Sequence, residues 1–74
     1  MRIPSRALVE YVKKAYPAGT KVELVEMDDV QAPPPGTRGI IRHVDDVCNI
    51  GVNWENGCGL NIVYGVDKFK VVRD

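Results

Sequence analysis

Residues 37–54, TRGIIRHVDDVCNIGVNW, decide how the rest of the chain is read. Ile50, Val52 and Trp54 fall on alternate positions, the period-two pattern of a strand with one buried face. In the preceding run Ile41 and Val44 are the core candidates, yet they stand three apart. A strand that buries both must bulge or bend, and the place for it is Arg42–His43.

Working outward, residues 20–27, TKVELVEM, alternate Val22 and Leu24 against Lys21 and Glu23, which reads as another half-buried strand. On the other side Asn56-Gly57 is a strong hairpin signal, and it makes residues 59–63, GLNIV, a returning strand. A short turn at YGVDK (64–68) then leads to a fifth strand, FKVVR (69–73). Before Gly19 the period is helical. Pro4 and Ser5 offer an N-cap, and Leu8, Tyr11, Val12 and Ala15 form one narrow apolar stripe. Lys13 and Lys14 suit the negative end of the helix dipole, and Pro17 with Gly19 ends it. The expected fold is mainly β. A short N-terminal helix within residues 1–18 packs on, or extends from, a small five-stranded SH3-like barrel over residues 19–74. Closure is favoured because an open sheet this small leaves two vulnerable edges.

Seventy-four residues make one small domain. Such a chain buries about three-fifths of its unfolded surface, which argues against a buried multi-residue catalytic pocket. Ten basic and ten acidic side chains cancel, so the basic excess of generic nucleic-acid binders is missing. The charges are nevertheless segregated: Arg2, Arg6, Lys13, Lys14 and Lys21 precede an acidic stretch with Glu23, Glu26, Asp28 and Asp29. A basic helix docking on that acidic loop, within the molecule or between copies, is one expectation. No run approaches the ~20 apolar residues of a membrane span, and there is no signal-peptide layout, so a cytoplasmic location is expected.

The candidate chemistry is sparse. With Asn56-Gly57 as a two-residue turn, Cys58 lies opposite Glu55 and Cys48 is roughly 23 Å away at ~3.3 Å per residue. A disulfide needs Cα atoms within about 7 Å, so both thiols should be free. His43 with the two cysteines lacks the paired spacing of a structural zinc site, and no metal or other cofactor is expected. Asp28-Asp29 and Asp45-Asp46 each end a strand, where aspartate commonly bonds nearby backbone amides. Trp54 reads as a core anchor, Tyr16 and Tyr64 as partly exposed. The run Pro33-Pro34-Pro35 stiffens the loop that Gly36 ends. It either lowers the entropy cost of ordering that loop or holds a preorganised acidic recognition edge.

Several motifs in order, YPAGTKVELVEMDDVQAPPPGTRG, VDD, VNWENG and GLNIVYGVD, resemble the family called domain of unknown function 4314. The similarity runs from about Tyr16 to Val71 and takes in Asp28, Asp29, Gln31, Pro33, Pro34, Gly36, Trp54, Tyr64 and Gly65. Cys48 and Cys58 fall where the family more often has glycine or small polar residues. The resemblance implies a small bacterial, phage or mobile-element protein with an SH3-like barrel, and it carries over no activity, cofactor or catalytic residue. The leading expectation is a non-enzymatic module that binds another protein through Asp28, Asp29, Gln31, Pro33, Pro34 and Tyr64. The alternative is nucleic-acid binding, with Arg2, Arg6, Lys13, Lys14, Arg38 and Arg42 on phosphate. A counter-defence protein that captures a small anionic ligand is a third reading, supported only by the resemblance. No membrane contact is expected, and self-association is left open.

Overall fold

The computed structural model describes residues 4–73. In chain order the elements are α1 (Arg6–Ala15), β1 (Lys21–Glu26), β2 (Arg38–Val44), β3 (Asn49–Trp54), β4 (Ile62–Val63) and β5 (Lys68–Val71). The strands form one antiparallel sheet in the order β4-β3-β2-β1-β5. The protein is therefore mainly β with one short helix.

Ser5 caps the helix as its position suggested: its backbone is extended and its Oγ accepts from the Leu8 amide at 3.1 Å. This satisfies one of the amides that a helix start leaves without an internal partner. The buried face is rotated from the expected one. Val9 and Val12 enter the core, whereas Leu8 and Tyr11 are 37% and 57% exposed and Ala15 lies on the surface. The helix lies against β2, and its inward line continues from Val9 and Val12 to Tyr16, which packs on the core. Short side chains let the helix approach the sheet, so the bulkier Leu8 and Tyr11 are left outside.

The β2–β3 ladder carries the predicted bulge. Ile41 pairs with Val52 and His43 with Gly51, so Arg42 has no opposite number. The extra residue restores Val44 to the inner side, where it packs on the core. Val22, Leu24, Ile41, Ile50, Val52, Trp54 and Ile62 line the interior with the two helix valines, and each is at most 8% exposed. At ~25 cal/mol per Å² of apolar area, each such aliphatic side chain contributes roughly 1.5–3 kcal/mol. Helix and sheet share this one core.

Two expectations fail, each for a local reason. The two-residue hairpin at Asn56-Gly57 does not form. A turn at Trp54–Gly57 is closed by the Gly57 amide on the Trp54 carbonyl (3.0 Å). The chain then bows outward and rejoins the sheet only where Ile62 pairs with Ile50 and Val63 with Asn49. The indole Nε1 of Trp54 donates to the Leu60 carbonyl at 2.7 Å, which holds the 55–61 segment around the ring instead of along β3. Cys58 therefore does not sit opposite Glu55, although both thiols are free.

The sheet is also not closed by hydrogen bonds: among the described residues no ladder joins β4 to β5. Val63 has its backbone committed elsewhere. Its carbonyl accepts from the Val66 and Asp67 amides, and its amide donates to Asp67 Oδ2 at 2.8 Å. Tyr16 bridges the seam instead, its ring centroid 6.0 Å from that of Tyr64 and 5.1 Å from that of Phe69 on β5. Burial, then the neighbouring Tyr64 and Tyr11 phenols, push the Tyr16 hydroxyl above its ordinary pKa.

Candidate interaction surface

The segment between β1 and β2 is long, but it is braced at base, middle and tip. At the base the Gly36 amide donates to the Leu24 carbonyl (2.7 Å) and the Leu24 amide to the Thr37 carbonyl (2.9 Å). Pro34-Pro35-Gly36-Thr37 is a turn closed by the Thr37 amide on the Pro34 carbonyl at 3.1 Å, which the Thr37 hydroxyl reinforces at 2.6 Å. Gly36 has φ +92, the conformation that a type II turn with proline at its second position demands of its third. In the middle Pro33 is buried. This corrects its place among the partner-contacting residues: the ring is a plug beneath the loop, and Pro34 and Pro35 form the outer surface.

At the tip Asp29 organises the backbone. Its Oδ1 accepts from the Gln31 amide at 2.8 Å and its carbonyl from the Ala32 amide at 3.0 Å. Asp29 is thus first a turn-former, as aspartate commonly is. The Cys58 thiol reaches the Gln31 carbonyl at 3.6 Å and ties the tip to the loop that Trp54 holds. What this brace presents is Val30, 103% exposed between Asp28, Asp29 and Gln31. Reading for charge and proline passed over Val30. The available signal was a lone aliphatic residue amid acids in a loop too stiff to fold it inward.

Tyr64 is half-buried against Tyr16, and its amide donates to the Cys48 carbonyl at 3.2 Å. It leaves β4 beside the start of β3, whereas the proline loop enters β2 beside the end of β3. The turn that follows brings the chain back to Lys68, opposite Glu26 at the root of the acidic loop. A mainly apolar groove, about 470 Å³, lies by Tyr64 between Pro4, Val47, Val63 and Val66.

Three of the six cations named for phosphate contact are engaged by carboxylates. Arg6 pairs with Glu10 (3.5 Å), Lys13 with Asp46 (2.7 Å) and Arg38 with Glu23 (3.3 Å). Lys14 and Arg42 are exposed, and Arg2 lies outside the described residues. The basic helix does dock on an acidic turn, but on the one after β2. The Lys13 hydrogen bond and charge hold the Asp46 carboxyl below its usual range, and Asp45 Oδ1 takes the Val47 and Asn49 amides. On the outer face of the sheet Glu23 receives Lys70 and Arg38, each at 3.3 Å. The Lys70 bond, then that of Arg38, lowers its pKa against the opposing effect of desolvation.

The same outer face carries a shallow groove of about 290 Å³ lined by Lys21, Arg38, Gly39, Ile40, Asn53 and Glu55. Lys21, Ile40 and Asn53 are a cross-strand row, and Ile40 is 46% exposed. Cys48 is buried at φ +61, and His43 lies on the surface beside the bulge. Among the described residues no three His, Cys, Asp or Glu side chains gather as metal ligands, and no helix is long and apolar enough to cross a membrane.

These features define a class: a small, mainly β module with one short helix, one core and a stiff acidic loop. The chain belongs to the family described as Domain of unknown function (DUF4314), whose model matches residues 5–72. Searches of curated proteins and of solved structures find no match to it.

Proposed function

We propose that this chain is a non-enzymatic interaction module that contacts another protein through the loop around Val30. The observation that carries this reading is a fully exposed valine at the tip of a loop whose backbone is bonded from both sides. A single exposed aliphatic residue is ordinary on a surface. A braced loop is different, because little further ordering is needed when a partner covers it. Burying Val30 would contribute roughly 1.5–3 kcal/mol, and Glu26, Asp28 and Asp29 around it favour a partner surface with cationic groups. Pro34 and Pro35 stiffen the flank of the contact, and Gln31 adds a polar side chain beside the valine.

The test compares affinity capture from the native host by the wild-type protein, Val30→Ser, Asp28→Asn and a control, Val47→Ser, on a different turn. The expected result is that partners held by the wild type and the control are lost with Val30→Ser. A loss near the lower bound of the valine contribution corresponds to about tenfold in affinity. An unchanged set of partners with both loop variants would remove the loop from the account.

A further inference from the structure

An open sheet has two edges, and only one of them is closed here. At β4 the outward N–H and C=O of Val63 are taken by Asp67 and Val66. At β5 the alternation of an antiparallel ladder fixes which groups face out. The Val72 amide donates to the Lys21 carbonyl at 2.9 Å, and Lys70 stands opposite Glu23, so the even-numbered residues turn toward β1. Leu24, opposite Phe69, instead bonds Thr37 and Gly36 on its other side. The N–H and C=O of Phe69 and Val71 therefore point away from the sheet. Among the described residues no hydrogen bond meets them, and β1 is the only element beside β5. We infer that this free edge docks an extended peptide in which carboxylates alternate with aliphatic side chains. The surface is separate from the loop around Val30.

The backbone groups define the class of partner. Donors and acceptors together on alternate residues match the main chain of an added strand. A nucleic-acid phosphate chain offers acceptors only and would leave both carbonyls unmet. The side chains define which peptide. The strand reads KFKV (68–71), and Arg73 follows it. Lys68 and Arg73 are exposed, and among the described residues neither makes an ion pair. Lys70 holds Glu23 at 3.3 Å, a carboxylate it shares with Arg38. Of the nearby acids, Asp67 is bonded to the Val63 amide, and Glu26 stands opposite Lys68 without pairing with it. On the other face Phe69 packs edge-on against Tyr16, and Val71 is 37% exposed. An added strand thus meets lysines on one face and apolar side chains on the other, which acidic and aliphatic residues in alternation complement. A second copy of β5 fits poorly. Laid antiparallel with matching faces, it sets its lysines against these, and like charges directly opposite repel.

The test adds a blocked peptide of about six residues, glutamate alternating with valine, to the full chain and follows backbone amide shifts and exchange by NMR. In about 0.01 M salt the peptide is expected to bind saturably and to slow exchange at Phe69 and Val71, while Lys70, already bonded to β1, changes little. Binding should weaken in about 1 M salt, where the screening length falls from roughly 30 Å to roughly 3 Å. A peptide alternating lysine with valine should not bind. Lys68→Glu should weaken binding by about fivefold. Val71→Pro should abolish it, because it removes an outward donor at an edge position where proline is tolerated. Lys68→Glu carries the test alone if circular dichroism shows the proline variant unfolded. Phe69 and Val71 amides that exchange as slowly as Lys70 in the free protein would overturn the inference. So would the absence of binding, or saturable binding that leaves those two amides unprotected. Protection that grows with protein concentration alone would give the edge to a second copy and overturn it too. None of these results alters the capture experiment with Val30→Ser, so the two readings fail separately.

Discussion

Gly39 is where the chain has the least room, and its replacement by alanine tests the packing of β2 on β3. A Cβ there would lie 2.5 Å from Val52 Cγ1, 2.9 Å from the Asn53 carbonyl oxygen and 3.0 Å from Trp54 Cε3. The valine methyl can rotate away, but the carbonyl belongs to the neighbouring strand, and the indole is fixed by its bond to Leu60. The two strands must separate locally. Overpacking of this kind costs about 1–3 kcal/mol, offset by the ~0.4–1 kcal/mol that alanine contributes by restricting the unfolded chain. A net loss of about 1–2 kcal/mol lowers Tm by roughly 4–8 °C per kcal/mol in a domain this small. Thermal unfolding should therefore show a fall of the order of 10 °C, and urea unfolding a lower midpoint with an unchanged slope. Gly59 is the internal control: nothing lies within 4 Å of its built Cβ, and its φ is not in the left-handed region. Gly59→Ala should be neutral or slightly stabilising. Gly39→Ala as stable as the wild type would refute the close approach of β2 to Trp54.

Ser5→Ala removes the acceptor for the Leu8 amide and should cost about 1 kcal/mol, read as a drop in thermal midpoint that Ser5→Asp largely avoids. Glu23 gives a pH signature. Its folded pKa lies below the ordinary value of 4.5, so its contribution is present above that value and is lost as pH falls through the lower folded one. The difference in Tm between wild type and Glu23→Gln should shrink on acidification through that window, and a difference that grows there would contradict the pairing with Lys70 and Arg38. Tyr16 acts at the other end of the scale. Its raised pKa means that stability is intact below about 10 and falls as pH rises toward the folded value. Tyr16→Phe should flatten that alkaline decline.

The strands were legible where burial alternates. Val22 with Leu24, and Ile50 with Val52 and Trp54, lie inward as their spacing requires. The misfit of Ile41 and Val44 marked the bulge because a pleated strand cannot bury residues three apart without an extra one. The helix cap was equally local. What could not be read depends on contacts between distant parts of the chain. The helix face was misassigned because Leu8 and Tyr11 are the larger apolar residues, while docking on β2 selects the shorter Val9 and Val12. The shape of the 55–61 segment follows from the bond between the Trp54 indole and Leu60, which a strong hairpin dipeptide conceals. The closure of the sheet turned on Val63, whose backbone is taken by Asp67. In the loop between β1 and β2 the acids and prolines stood out, but their division of labour did not. Asp29 shapes the turn, Pro33 plugs it, and Val30 is the side chain left facing outward.

The central claim is that this loop is a fixed surface and not a floppy connection. Backbone amide relaxation by NMR measures it directly, residue by residue, at Asp28 to Ala32 against the strands. Order parameters near the ~0.85 of rigid backbone at Gln31 and Ala32, matching β2 and β3, are the expected result. Values below about 0.6 there, with the strands still rigid, would contradict it.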